Sequence, residues 1–334
     1  MSRIYIPVGL VVILAIAGCY PAFRIDMQGL EPAAVTLSQD INTLTVVSRF
    51  DLDSLVKTEY IRNNQAKQFQ RDSSIIHESI IGCSDALVES PRFNIYDPII
   101  RRNLVGDFSN PGRPLPWPTV LAVAGDPPLD GVLSLESLQY RDTLILKASN
   151  GWVIPEQWVY IRSYWRLYNI KQQMVYDFTY SDPFVLTIDG NPDDMTSAQK
   201  STLIKESAYQ AGLATGRRLA PYWVDLERVY FPGGQKEFKK ASELIREGNW
   251  EGAAEIWSRH SKSQYASIAA KACYNMAVAC EMAGNISLAM EWLRQASEKG
   301  MPDLYINEYQ AQLNARLSKQ LLLDKQMIHN DLKK

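Results

Sequence analysis

The sequence predicts an α+β fold: a mixed sheet with packed helices, followed by an α-helical repeat domain. Three observations predict it. Extended apolar patterns at 43–50, 130–139, 157–169 and 174–181 are interleaved with patterns of helical period, as expected of strands and helices sharing a core. Residues 237–300 resemble themselves at an offset of 36 residues. At 334 residues the chain exceeds what one compact core usually holds, so two domains are expected.

Taken in order, residues 43–50 read as a strand. Ile76, Ile80, Cys83 and Leu87 mark the apolar face of a helix, and after Pro91 a short strand covers Phe93 to Tyr96. Pro111, Pro114, Pro116 and Pro118 restrict the backbone of a loop. Asp130 to Gln139 form the next strand, Asn150-Gly151 signals a hairpin turn, and long strands follow at 157–169 and 174–181. Thr196 and Gln199 make a capping box for a helix reaching Leu219. Its small stripe, Ala208, Gly212, Gly216 and Ala220, is expected to pack closely on the sheet. In the last third, Ala241, Gly248, Ala253 and Trp257 recur as Ala277, Gly284, Ala289 and Leu293. Tyr309, Leu313, Leu317 and Leu321 then step along a capping helix. The expected organisation is a leader at 1–18, a tether at 19–42, the α+β domain at 43–233, the helical repeat with its cap at 234–326, and a frayed tail at 327–334.

Composition narrows the function. Hydrophobic residues make up 46% and charged residues 22%, which excludes disordered, collagen-like and polytopic membrane chains. Thirty-five basic and 37 acidic residues leave a net charge of −2, so no overall basic field recruits nucleic acid. The amino terminus carries the sharpest signal. Arg3 precedes an apolar run from Ile4 to Ile16, shorter than the ~20 residues that span a bilayer. The run ends in Ile16-Ala17-Gly18-Cys19, which resembles the lipobox of bacterial lipoproteins. That resemblance implies cleavage between Gly18 and Cys19 and acyl chains such as palmitate attached at Cys19, holding the protein to a membrane. Tyr20, where an aspartate is associated with inner-membrane retention, favours the outer membrane and its periplasmic face, with the cell surface open. Of the other cysteines, Cys273 and Cys280 lie about 10 Å apart along one helix, beyond disulfide reach. Cys83, Cys273 and Cys280 read as buried apolar residues.

Two resemblances extend this. The segment from Ala272 through Gly284 to Ala296 resembles a tetratricopeptide repeat, with Sel1-like features at Ala289 to Gly300. Five motifs are similar to an uncharacterised family of Gram-negative envelope lipoproteins with tetratricopeptide-like carboxy termini. They are Val46-Val47-Ser48-Arg49, Asp130 to Glu136, Tyr164 to Tyr168, Gly216 to Trp223 and Arg228 to Phe231. This family implies architecture and location and transfers no catalytic residue. The order of elements also resembles, by topology, the periplasmic domains of curli-secretion and Tol-type lipoproteins.

Catalytic motifs fail on inspection. Neither phosphate-binding glycine loop nor nucleophile elbow occurs. His77-Glu78 opens a zincin-like pattern whose second histidine position holds Ile81. In a calcium-loop-like run, Asp194 replaces the glycine and Lys200 the bidentate glutamate. Ser54–Lys57 and Ser197–Lys200 lack the companion motifs of serine–lysine hydrolases. No metal or cofactor is expected. Two candidates remain. Glu136 and Asp130 on one strand are read as turn or hydrogen-bond anchors before general acids. Ten of the 34 aromatic residues fall between 152 and 184, and alternation places Tyr160, Arg162, Tyr164, Arg166 and Tyr168 on one strand face. That face either binds a glycan, anion or protein, or forms a ladder against Met174, Tyr176, Phe178 and Tyr180. The leading expectation is a non-enzymatic interaction or assembly module meeting unidentified envelope proteins, with homo-oligomer formation open. Alternatives are an envelope hydrolase or carbohydrate-handling enzyme using Glu136, and a ring-forming secretion component.

Overall fold

The computed structural model describes residues 22–49, 66–96, 111–149, 152–187, 196–233 and 235–327. The lipobox with Gly18 and Cys19, Ser54–Lys57, the Asn150-Gly151 turn, the calcium-like run before Thr196 and the tail beyond Met327 lie outside the described residues. The chain divides into two units. One holds Gly29–Val224 and the chain from Lys319; the other holds Asp225–Ser318 and the chain before Gly29.

The first unit is built on a five-stranded sheet. Its strands are β2 (Thr43–Ser48), β3 (Asn94–Tyr96), β4 (Gly131–Ser149), β5 (Trp152–Asn169) and β6 (Met174–Thr187), in the order β3-β2-β4-β5-β6. β2 runs parallel to β3 and β4, whereas β4, β5 and β6 form an antiparallel meander, so the sheet is mixed. One face buries Leu44, Val46, Leu133, Leu135, Ile161, Trp165 and Leu167 beneath helices α1 (Ala66–Glu89) and α3 (Ser197–Leu219). The other face buries Val47, Val132 and Tyr168 against Val120 and Val123 of α2 (Trp117–Ala124). Sequence reading treats α2 as proline-rich loop. The helix forms because Pro116 precedes it and Pro118 sits in its first turn, where no intrahelical donor is lost.

The small stripe of α3 corrects an expectation. It packs on α1, with the sheet only its secondary neighbour. A Cβ at Gly212 would lie 2.0 Å from the Ser79 carbonyl oxygen, and one at Gly82 2.0 Å from the Tyr209 carbonyl oxygen. The two glycines admit each other's helix backbone. Small residues at helical spacing report a close approach, but not from which element. The Thr196–Gln199 capping box forms as expected. The stretch expected as a tether instead holds strand β1 (Phe23–Glu31), with Ala33, Leu37 and Ile41 buried after it. Gln326 closes the backbone of Ala33 from both sides, accepting from its N–H at 2.8 Å and donating to its carbonyl at 2.9 Å. The tether reading passed over the alternation of Phe23, Ile25 and Met27 with Arg24, Asp26 and Gln28, the two-residue period of a strand.

The second unit is helical after β7 (Tyr222–Tyr230), which pairs with β1 in a two-stranded sheet. Its helices are α4 (Lys236–Arg246), α5 (Trp250–His260), α6 (Ala266–Met282), α7 (Ile286–Glu298) and α8 (Asp303–Gln326), whose last turns pass into the first unit. The turns α4–α5 and α6–α7 are built alike. Gly248 and Gly284 take φ +79° and +78°, a conformation in which side chains are strained. Asn249 and Asn285 follow; their N–H groups donate to Leu244 and Cys280, and their side chains cap the next helix at Gly252 and Leu288. Ala241, Ala253, Ala277 and Ala289 are all fully buried. On α8, Tyr309 and Leu313 are buried, but Leu317 is 39% and Leu321 74% exposed. Four-residue steps overshoot a turn by about 40° each, so the row walks off the buried face.

Candidate functional site

Glu136 sits in a β-bulge: Leu135 pairs with Trp165 and Ser137 with Tyr164, leaving Glu136 without a cross-strand partner. The bulge shifts the alternation of β4, so that Leu133, Leu135 and then Leu138 keep the helix-covered face. Glu136 turns to the opposite face and is fully buried. Its Oε2 accepts from Arg49 Nη1 at 2.6 Å and Arg166 Nη1 at 3.2 Å, and its Oε1 from the Tyr168 hydroxyl at 3.3 Å. Arg166 also donates Nε to Asp177 at 2.6 Å and Nη2 to the Tyr164 hydroxyl at 3.2 Å. Two guanidiniums and two carboxylates balance.

The segment before α2 lies over this cluster as a strap. The Gly112 carbonyl accepts from Arg166 at 3.0 Å and the Arg113 carbonyl from Arg49; the Leu115 N–H donates to the Tyr168 hydroxyl at 2.8 Å. Trp117 meets the Tyr168 ring edge-on. A Cβ at Gly112 would crowd the Arg49 guanidinium at 3.0 Å. Burial works against the charge of Arg166, but Asp177 and Glu136 raise its pKa. Burial, with the Glu136 charge beside it, pushes the Tyr168 phenol up. Among the described residues the arrangement is an electrically neutral clasp whose charged groups pair with one another. Asp130, the other strand carboxylate, is a backbone anchor. Partial burial would raise its pKa; the Lys171 ammonium and the N–H groups of Asn42 and Thr43 bring it below the usual range.

The Tyr/Arg face of β5 therefore divides. Arg166 and Tyr168 are buried, Tyr160 and Tyr164 half-buried, and Arg162 exposed. The expected ladder is corrected: register sets Arg162 opposite Ser181, Tyr164 opposite Thr179, Arg166 opposite Asp177 and Tyr168 opposite Val175. Tyr176, Phe178 and Tyr180 sit instead beside Leu167, Trp165 and Ser163 on the helix-covered face. A one-residue offset in the hairpin reverses which side chains share a face.

The helical unit holds a second polar cluster. Glu281 of α6, fully buried, takes a bidentate pair from Arg228 of β7 at 2.8 Å on each oxygen. Arg316 of α8 adds a bond at 2.6 Å and the Tyr309 hydroxyl one at 2.8 Å. One helical turn and a half earlier, Asn275 accepts from the Phe231 N–H and donates to its carbonyl, both at 2.8 Å. Burial alone would raise the Glu281 pKa; Arg228, Arg316 and Tyr309 bring it below the ordinary value. Since the folded pKa is depressed, this stability is present above the unfolded value of about 4.3 and is lost as pH falls through the folded one. Urea unfolding of a Glu281→Gln variant below about pH 5 is expected to vary less with pH than that of the parent. Equal slopes would remove Glu281 as the source.

Among the described residues no group of three or more histidine, cysteine, aspartate or glutamate side chains is placed to hold a metal ion. Cys83, Cys273 and Cys280 are free and buried, and burial raises all three thiols, that of Cys273 to about 11.

A family model described as "Domain of unknown function (DUF8603)" matches residues 41–231, more than half of the chain. The chain belongs to this family. A second model, "Domain of unknown function (DUF6340)", matches residues 239–318. No curated protein matches the sequence. Among solved structures, a neuraminyllactose-binding hemagglutinin homolog from Helicobacter pylori is similar at 10% identity, over 63% of this chain and 96% of that one. Its TM-score is 0.25, and the likeness carries no argument.

The DUF8603 region contains the whole clasp. Sequence reading singled out Glu136, Arg166 and Tyr168 but not their joint burial, and it missed Arg49, Asp177 and the strap. One signal was available: a charged residue directly after the buried run Val46-Val47-Ser48 of a strand has nowhere to go without a carboxylate. Arg228 carried the same kind of signal, beside Val229 and Tyr230.

Proposed function

We propose that this DUF8603 member is an envelope lipoprotein, anchored through Cys19 to the periplasmic face of the outer membrane, and that it serves as a non-enzymatic interaction or assembly module. The observation that carries this reading is the way the helical unit is built. Gly248 and Gly284, with Asn249 and Asn285 behind them, make the same turn at an offset of 36 residues, which supports reading the unit as a tetratricopeptide-like scaffold that presents helix surfaces to other proteins. Two further features support it. The described polar clusters around Glu136 and Glu281 are taken up by internal pairing, and burial raises the thiols of Cys83, Cys273 and Cys280, at Cys273 against the opposing charge of Lys299. A shallow cavity of about 620 Å³ on α5 and α6, lined by Glu251, Glu255, Arg259 and Met276, supplies a surface for a basic partner segment.

Crosslinking in cells followed by mass spectrometry tests the module. A stoichiometric envelope protein is expected, with its yield lowered by Glu251→Lys together with Glu255→Lys; no enriched partner in repeated experiments would count against it. The anchor is tested separately: Cys19→Ser is expected to move the chain from the membrane to the soluble fraction, and continued membrane association would remove Cys19 from its role.

A further inference from the structure

The end of α3 carries a cleft that the clasp and the helical unit do not use. Its volume is about 420 Å³, within the range of small-molecule sites. Leu213 and Ala214 of α3, Phe184 of β6 and Pro32 supply an apolar wall, and Gln210, Arg217, Arg218 and Tyr222 supply polar lining beside it. No carboxylate lines the cleft among the described residues.

The two arginines of Arg217-Arg218 have different fates. Arg218 is neutralised: its guanidinium makes two bonds to the carboxylate of Asp182, lies 4.5 Å over the Tyr180 ring, and its carbonyl accepts from the Val35 N–H at 2.9 Å. Arg217 is exposed, 5.5 Å over the Tyr222 ring, and no carboxylate among the described residues lies within ion-pair distance. A helix end contributes about half a negative charge. With Arg218 and Asp182 cancelling, the Arg217 charge outweighs that and leaves the cleft positive. One cation fixed beside an apolar wall selects one anion attached to an apolar body. Its planar fork favours a carboxylate, which it can meet with two parallel hydrogen bonds.

We propose that this cleft binds a carboxylic acid with an apolar body, the carboxylate on Arg217 and the body against Leu213, Ala214 and Phe184. The acid can be a free amphiphile or the terminal carboxylate of a peptide, which share this chemistry. Neither source is required by the module reading, so the two stand or fall separately.

The full chain in lipid nanodiscs, titrated with 4-phenylbutanoate and followed by ligand-observed NMR, tests the proposal. Binding is expected, with 4-phenylbutanamide and acetate each at least about tenfold weaker, since a charged hydrogen bond or the apolar contact is lost. Arg217→Gln is expected to weaken 4-phenylbutanoate by about tenfold or more while leaving the thermal transition unchanged, because the side chain is exposed. Leu213→Asp serves as a second variant acting on the wall. N-acetylphenylalanine separates the sources: tighter binding than 4-phenylbutanoate assigns a peptide terminus, weaker binding a free acid. Equal affinity for acid and amide, or an unchanged affinity in Arg217→Gln, would overturn the proposal.

Discussion

Glu136→Ala is expected to cost about 3–5 kcal/mol of unfolding free energy in the sheet-containing unit, the range found when one partner of a buried ion pair is removed. The substitution strips Arg49 and Arg166 of their shared carboxylate in a place where Glu136 is fully buried and Arg166 only 5% exposed at its side chain. Arg166 keeps Asp177, which is half exposed, while Arg49 and the Tyr168 hydroxyl each lose their bond to Glu136. Glu136→Gln preserves volume and one acceptor oxygen, so a smaller loss is expected. Replacing charge and countercharge together, as Arg49→Leu with Glu136→Leu, should recover part of the deficit, because apolar packing of similar volume avoids the desolvation of both ions. Chemical denaturation of the parent, Arg49→Leu, Glu136→Leu and the double variant forms a double-mutant cycle. A loss under about 1 kcal/mol for Glu136→Ala would mean that water reaches the cluster and that the strap is not its seal.

Gly212→Ala is expected to cost about 3 kcal/mol, at the upper end for overpacking, through a single methyl group. Alanine is otherwise the better helix former, by about 1 kcal/mol, so local propensity predicts the opposite sign. Tertiary geometry decides: the added Cβ would stand 2.0 Å from the Ser79 carbonyl oxygen and 2.9 Å from the Cys83 nitrogen, both backbone atoms of α1 that cannot rotate away. The helices must part, opening the core around Ile76, Ile80 and Ala208. Gly248→Ala provides the contrast. Nothing lies within 4 Å of a Cβ there, and only the φ of +79° is strained, so a loss of about 1–2 kcal/mol is expected. If Gly212→Ala proves neutral or stabilising in urea unfolding, the closeness of the α1–α3 crossing is refuted.

These two positions show how unevenly the fold and the candidate site were legible. β2, β4, β5, β6 and the capped α3 were readable because each is a local pattern: alternation, β-branched runs, or a Thr–Gln capping pair that satisfies itself within four residues. The helical character of the last third was readable from alanines and glycines recurring at a fixed offset. Strand β1 carries such an alternation too, Phe23, Ile25 and Met27 against Arg24, Asp26 and Gln28, which the tether expectation passed over; the stretch after it, where Ala33, Leu37 and Ile41 are buried, lacks a two-residue period. The site was half legible. Alternation brought Arg166 and Tyr168 to one face, yet left Glu136 off it, since a bulge adds a residue to one strand without any mark in composition.

What the sequence determined by itself is therefore what rests on neighbours a few residues apart: the class of the fold, most of the helical and extended stretches, and the turn glycines. What only the tertiary structure decided is which of these surfaces meet. The small stripe of α3 chose α1 over the sheet, Arg49 and Arg166 converged on Glu136 across 87 and 30 positions of chain, and Arg217 was left lining an open cleft while its neighbour Arg218 was paired. The physical reason is range. Propensity and capping act over one turn, whereas burial of charge and close packing depend on distances set by segments far apart in the chain.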